Sequence, residues 1–156
     1  MMNITIRTAT LEDIGFLTDV VIKATRAQGR FEDHFNETEY RAGFEDWTKE
    51  TILGLAEPGC VLSVIESDDT PIGRLRVVRN ADKITLAGIQ ILPEYQNNKI
   101  GSQIIEQLKR EAEQKGIPLL ISVEKDNPNA QRLYERMGCK VVAEDEREYH
   151  LEYRPP

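Results

Sequence analysis

The sequence predicts an α/β (α+β) chain of strands and about four helices that includes a parallel strand pair. Three observations predict it. Seven apolar, strand-like runs are interleaved with four segments of helical periodicity. One strand–helix–strand unit, Ile84 to Val123, has the length of a right-handed crossover and so implies a parallel strand pair. Polar turn signals separate other neighbouring strands and imply antiparallel pairs. At 156 residues the expected organisation is one domain, residues 1–156, with a sizeable core.

Composition narrows the function. The net charge of -7 argues against nucleic acid, which needs clustered Lys and Arg, and is compatible with a cationic partner such as an amine. No apolar run is long enough to span a bilayer, and Met1 to Thr8 lacks the pattern of a secretory signal, so a cytoplasmic location is expected. Cys60 and Cys139 are far apart and read as reduced thiols; no metal cluster is expected.

The elements follow in order. Ile4 and Ile6 alternate with Thr5 and Arg7 as a first strand. Thr10 is the expected cap of a helix carrying Ile14, Leu17, Val21 and Ala24 on one face. A second helix is expected from near Thr38, with Tyr40, Phe44, Trp47 and Ile52 as its apolar positions and Pro58–Gly59 as its stop. Three strands come next: 61–66, 72–79 and 84–92. The turns between them read as Asp68-Asp69-Thr70-Pro71 and 80–82. In the third strand, Ile84 and Leu86 share one parity and Ile89 and Ile91 the other. A bulge near Ala87-Gly88 would keep both pairs on the core face; a strand buried on both faces is the alternative. A long helix with Ile100, Ile104, Ile105, Leu108 and Ala112 runs to about Lys115 and stops at Gly116. Leu119 to Val123 is a buried strand. Asn127 caps a last helix that starts at Pro128 and closes at Gly138, and 141–142 with 149–153 suit a final hairpin.

The stretch Gln96-Asn97-Asn98-Lys99-Ile100-Gly101-Ser102 joins the third of these strands to the long helix. A strand, a polar turn and a helix start make an anion site, because the first turn of a helix leaves N–H groups unpaired at the positive end of its dipole. An ordinary strand-to-helix turn has the same outline.

Two motifs together carry a resemblance. Gln96 to Ser102 looks like a Gln/Arg-x-x-Gly-x-Gly/Ala phosphate loop, and Asn127-Pro128-Asn129-Ala130 followed by Leu133-Tyr134 looks like an Asn-x-x-Ala-x-x-Leu-Tyr helix. On these the chain resembles the GNAT superfamily of acetyl-CoA-dependent N-acetyltransferases over nearly its whole length. The resemblance implies a single GNAT-like domain with a seven-stranded mixed sheet whose two central parallel strands splay apart around acetyl-CoA or CoA. It implies backbone contacts from Ile89 and Ile91 to the pantetheine arm. The pyrophosphate would rest on the N–H groups of Gln96, Asn97, Asn98, Lys99, Ile100, Gly101 and Ser102. Asn127 faces the pantetheine, Asn129 belongs to the same cofactor-binding set, and Tyr134 faces the sulfur. The chain departs from the pattern at Lys99, where the family usually has Gly. If that position needs positive φ, Lys99 costs roughly 1 kcal/mol, and its ammonium can offset this against a phosphate.

The implied reaction is direct attack of a primary amine, on a small molecule or peptide, upon the thioester. Tyr134 is the expected acid for the leaving thiolate, or else a core aromatic. With ordinary pKa values the proton transfer is uphill by roughly 2 kcal/mol. The base is open among Glu32, Asp33, His34, Glu66, Glu148 and His150. Arg74 and Arg76 share a strand face and read equally as contacts for an acceptor carboxylate or phosphate and as solvated charges. The competing class is a non-catalytic CoA-binding or sensory domain. Oligomeric state is open, a homodimer being one option, and no membrane or nucleic-acid partner is expected.

Overall fold

The computed structural model describes residues 3–29, 31, 34–96 and 98–156. Among these residues seven strands form one mixed sheet: β1 (Ile4–Thr8), β2 (Cys60–Ser67), β3 (Thr70–Arg79), β4 (Ile84–Ile91), β5 (Leu119–Glu124), β6 (Lys140–Glu144) and β7 (Glu148–Tyr153). Their order is β1-β2-β3-β4-β5-β7-β6. Four α-helices among the described residues accompany them: α1 (Ile14–Ala27), α2 (Glu37–Ile52), α3 (Ile100–Lys115) and α4 (Pro128–Arg136). The chain divides into two compact units. One takes the residues up to Val77 with Gly88–Asn98; the other takes Val78–Ala87 with Lys99–Pro156.

In the first unit β1 pairs antiparallel with β2 from Ile4↔Ser67 to Thr8↔Ser63. Thr10 caps a 3₁₀ turn, Leu11–Asp13, rather than α1 itself. The Asp13 carboxylate accepts the Thr10 N–H at 2.8 Å and a fork from Arg7 of β1 at 2.8 and 2.9 Å. Ala9, Leu17, Leu62 and Val64 form a buried cluster, against which Phe16 and Ile52 pack. Asn36 caps α2 by accepting the Glu39 N–H.

Two turns differ from expectation. α2 ends at Ile52, not at Pro58–Gly59. Gly54 adopts φ +78°, and Leu55 N–H returns to the Glu50 carbonyl at 2.9 Å, a Schellman closure that only a residue at ease with positive φ completes cheaply. The β2–β3 turn is Asp68-Asp69 alone, both at positive φ, which matches the twist of a two-residue hairpin; Thr70 and Pro71 already belong to β3.

The bulge expected near Ala87-Gly88 is present as a count. From the Asn80–Lys83 hydrogen bond at the turn to the Leu92–Ile72 hydrogen bond at the open end, the ladder advances eight residues along β3 (80 to 72) and nine along β4 (83 to 92). β4 therefore holds one extra residue. Gly88 lies beside Arg76, a Cβ there falling 3.7 Å from the Arg76 Cβ. The parity change between Ile84/Leu86 and Ile89/Ile91 follows from it.

In the second unit Arg79 forks onto Glu111 of α3 at 2.7 and 3.0 Å. The expected apolar stripe of α3, Ile100, Ile104, Ile105, Leu108 and Ala112, is buried. So are Leu119, Ile121 and Val123 of β5, and both α3 and α4 contact that strand. Gly116 and Gly138 stop α3 and α4 at positive φ, with Schellman bonds from Ile117 to Ala112 and from Cys139 to Tyr134. β5 pairs antiparallel with β7 over six residue pairs, Leu119↔Tyr153 to Glu124↔Glu148. With β4 its parallel register covers Ile84↔Leu119, Thr85↔Leu120 and Leu86↔Ile121.

The Arg7 fork sets an acid limit on stability. It holds the Asp13 carboxyl down at about 2, against the opposing cost of burial. A carboxyl depressed in the folded state stabilises above its unfolded value near 4, and that stability is lost as pH falls from there through about 2. Arg7 is partly solvated, so the discounted effect is about 1 kcal/mol. Asp13→Asn is expected to lower stability by that amount at pH 7 in urea unfolding, with the gap to wild type closing near pH 2.

Candidate functional site

The loop and helix start from Gln96 to Ser102 are built from backbone. Gln96 donates its side-chain amide to the Ile91 carbonyl at 3.1 Å, and Asn98 donates to the Tyr95 carbonyl at 3.1 Å, so both side chains brace the turn. Asn97 lies outside the described residues. Lys99 is exposed and occupies the left-handed region at φ +60°, ψ +22°. Its carbonyl accepts the Gln103 N–H, the first bond of α3. The side chain of the N-cap residue, Lys99, makes no capping hydrogen bond. The N–H groups of Ile100, Gly101 and Ser102 precede the first intrahelical donor and have no backbone partner within the helix.

Gly101 needs neither special φ nor space for the fold. A Cβ placed there meets nothing nearer than Leu133 Cδ2 at 4.0 Å. In a helix it costs roughly 0.8–1 kcal/mol relative to Ala. The Lys99 conformation has a cost of similar size, on the order of 1 kcal/mol. Lys99→Gly is therefore expected to raise stability by up to about 1 kcal/mol, read as a higher urea midpoint; an unchanged or lower midpoint would mean that the left-handed turn stores no strain.

Ile89 and Ile91 are half-buried, and the Ile91 carbonyl already holds Gln96. Asn127 caps α4, its side-chain oxygen accepting the Ala130 N–H at 3.4 Å. Asn129 is exposed, and its oxygen accepts from Arg132. Tyr134 is 7% exposed, and its hydroxyl has no recorded protein partner among the described residues. Burial, with a smaller contribution from Cys139, pushes its phenol up to about 12. The Cys139 thiol is itself buried and pushed up, in keeping with a small core residue.

The base candidates separate. Glu32 and Asp33 lie outside the described residues. Glu66 is 16% exposed at its side chain and accepts from Arg7 Nε at 3.2 Å, so it serves an ion pair instead. His34 is exposed. His150 of β7 has a built environment that sequence reading missed. Its Nδ1 lies 2.9 Å from Ser122 Oγ of β5, directly across the ladder, and its Nε2 lies 2.9 Å from Asp145 Oδ2. Asp145 is held at about 2 by the N–H groups of Arg147 and Glu148 and by His150, so it is an acceptor. With Asp145 as acceptor at Nε2, the tautomer protonated there leaves Nδ1 to accept from the Ser122 hydroxyl. Asp145, Glu148 and His150 also bring ligand atoms within 4.8 Å of one another, although both His150 nitrogens are already hydrogen-bonded. The only available signal was period-two alternation in β5 and β7; the register that pairs Ser122 with His150 is not written in either strand.

Arg74 also departs from the solvated option. It is 4% exposed, donates Nη1 to Gln90 at 2.9 Å, and lies over the rings of Phe44 and Trp47. No helix among the described residues is long and apolar enough to cross a membrane.

Comparison with known proteins agrees with this architecture. Residues 23–139 match the Acetyltransferase (GNAT) family. No curated protein matches the sequence. Among solved structures, the PaiA N-acetyltransferase of Thermoplasma acidophilum, in complex with coenzyme A, superposes with a TM-score of 0.81 at 23% identity, covering 98% of this chain and 99% of that one. An acetyltransferase from Thermus thermophilus gives 0.74 at 16% identity over 97% of each chain. The ribosomal-protein-S18-alanine N-acetyltransferase of Escherichia coli gives 0.69 at 18%, covering 97% of this chain and 94% of that one. At these identities the likeness is one of fold: a seven-stranded mixed sheet with four helices. With that fold in place and the family match running from α1 to the end of α4, the chain belongs to the GNAT acetyltransferase family.

Proposed function

We propose that residues 1–156 act as one N-acetyltransferase domain that moves an acetyl group from acetyl-CoA to a primary amine of a small molecule or peptide. The observation that carries this reading is the start of α3, where the N-cap residue offers no side-chain hydrogen bond to the first N–H groups. A lysine strained into the left-handed region and a glycine that packing does not require both sit there, and both are explained by a diphosphate on the N–H groups of Ile100, Gly101 and Ser102. The Lys99 ammonium would add a charge-assisted contact. Ile89, Ile91, Gln96, Asn97, Asn98, Asn127 and Asn129 complete the proposed cofactor set. The PaiA structure, solved with coenzyme A, supports the choice of cofactor.

In the proposed reaction the amine lone pair attacks the thioester carbonyl carbon. The C–N bond forms, the C–S bond breaks, the nitrogen sheds its extra proton to solvent, and CoA leaves as a thiolate. Tyr134 donates its hydroxyl hydrogen to that sulfur. Its burial fits a donor that stays neutral, and among the described residues no hydrogen bond holds its hydroxyl away from a ligand. The attacking ammonium must first lose a proton. We assign this to His150 acting through the Ser122 hydroxyl, with Asp145 holding the ring. His150→Gln is expected to lower kcat roughly tenfold to hundredfold at neutral pH with the KM for acetyl-CoA unchanged. The deficit shrinks at alkaline pH, where the amine arrives unprotonated. A deficit that is constant with pH would remove His150 from the base role.

The test is release of free thiol from acetyl-CoA against a panel of amines, with mass detection of the acetylated product. At least one amine is expected to give both. The second reading, a CoA-binding sensory domain, is favoured by the weak acidity of buried Tyr134. Tight CoA binding with no turnover on any amine would decide for it.

A further inference from the structure

Ser122 of β5 and His150 of β7 are register partners, and the Ser122 hydroxyl lies 2.9 Å from His150 Nδ1. A cross-strand polar pair of this kind is worth at most about 1 kcal/mol to a sheet and needs no third member. Here a third member gives the pair a direction. Asp145, in the turn between β6 and β7, accepts the Arg147 and Glu148 N–H groups on Oδ1, both at 2.8 Å, which leaves Oδ2 facing His150 Nε2 at 2.9 Å. Those N–H bonds hold the Asp145 carboxyl at about 2, so it is an anion at neutral pH. An anion at Nε2 favours the ring tautomer protonated there, and the Nδ1 lone pair is then the one that meets the hydroxyl. With the other tautomer the ring would donate to Ser122 and take no proton from it. A nucleophile, a base and a group that orients the base are what activates a hydroxyl, recognised by role and not by position in the chain. The three side chains are also within reach of a reagent in water: Ser122 and Asp145 are exposed, and the His150 side chain is 36% exposed.

We propose that Ser122 is a nucleophile with His150 as its base, and that the chain hydrolyses activated acetyl esters through an acetyl-serine intermediate. The proposal goes beyond amine transfer and does not depend on it: the base assigned to the amine is here offered the Ser122 hydroxyl alone. In the first half, Oγ attacks the ester carbonyl carbon and its proton passes to Nδ1. The bond from that carbon to the leaving oxygen then breaks, and the leaving oxygen takes the proton from Nδ1. In the second half, a water gives a proton to Nδ1 while its oxygen attacks the acetyl carbon. The bond to Oγ breaks, Oγ recovers the proton, and acetic acid departs. The sum is ester and water to acetic acid and alcohol. Between these steps the ring is a cation, which ionised Asp145 at Nε2 and a Glu148 oxygen within 4.8 Å both favour.

The experiment uses 4-nitrophenyl acetate with the full chain, in EDTA and without CoA or amine. Nitrophenolate release is followed, and acid-quenched samples are digested and mapped by mass. The wild type is expected to carry an acetyl group on Ser122 that hydroxylamine removes, as it removes an ester and not a lysine amide. His150→Gln is expected to slow acetylation of Ser122 on the order of 100-fold. Ser122→Ala is expected to carry no hydroxylamine-labile acetyl group on that peptide and to release nitrophenolate at least about tenfold more slowly. Ser122→Cys, which keeps a nucleophile in place, is expected to be acetylated again, now as a thioester. If Ser122→Ala does not fold, the peptide maps of wild type and His150→Gln decide alone. Acetyl groups confined to lysines, or acetylation of Ser122 that His150→Gln leaves unslowed, would overturn the proposal. Ser122 acetylated through His150, with no transfer from acetyl-CoA to any amine, would sink the acetyltransferase reading and leave the nucleophile standing. Amine transfer with Ser122 never acetylated would do the reverse.

Discussion

Gly101→Asp is expected to weaken CoA binding about a hundredfold while leaving the folded protein as stable as the wild type. The expectation follows from two separate features of one position. A Cβ at 101 would meet no other side chain nearer than Leu133 Cδ2 at 4.0 Å, and the position needs no unusual backbone, so the fold is expected to accept a side chain there. An acidic residue in the first turn of a helix is even favourable to the dipole by a few tenths of a kcal/mol. The same carboxylate would stand beside the diphosphate in the proposed complex. Two like charges about 5 Å apart near a protein surface repel by roughly 3 kcal/mol, which is about two powers of ten in affinity. Calorimetric titration with CoA and a urea melt check the two halves. Unchanged affinity would mean that the diphosphate lies elsewhere, and a collapsed melt would make the affinity uninterpretable at that residue.

Tyr134→Phe is expected to lower turnover on the order of 100-fold with CoA affinity nearly unchanged. The buried phenol, at about 12, is a weaker acid than a free tyrosine. Full transfer of its proton to a thiolate near 8.5 would be uphill by roughly 5 kcal/mol, so its contribution is a hydrogen bond to sulfur charge as it develops. Removing a hydroxyl without a recorded protein partner takes little from the folded state, and the variant should unfold at or above the wild-type midpoint. Lower activity with undiminished stability is the combined signature. An unchanged rate would return Tyr134 to the core.

What the sequence made legible was periodicity and punctuation. The stripe of α3, the glycine stops at 116 and 138 and the Asn127 cap stand where the pattern put them, because each rests on residues close in the chain. The extra residue in β4 was legible as well, since a parity change is a local signal with a long-range cause. Positive φ at Lys99 was anticipated as a condition of the loop, and it is met. Pro58–Gly59 misled because a proline-glycine pair outweighed the quieter Gly54, whose role depends on the α2 carbonyls behind it. The Ser122–His150–Asp145 chain was out of reach, because strand register decides it and Ser122 and His150 are 28 positions apart. The burial of Arg74 was equally hidden: alternation told which face it shared with Arg76, and only α2 packed on that face shows that the face is dry.

The most direct measurement is an amide NMR titration of the full chain with CoA. The largest shifts are expected at Ile100, Gly101 and Ser102, saturating together, because their N–H groups would exchange water for phosphate oxygens. Saturable binding with those three amides unmoved would contradict the account, whatever the activity assays returned.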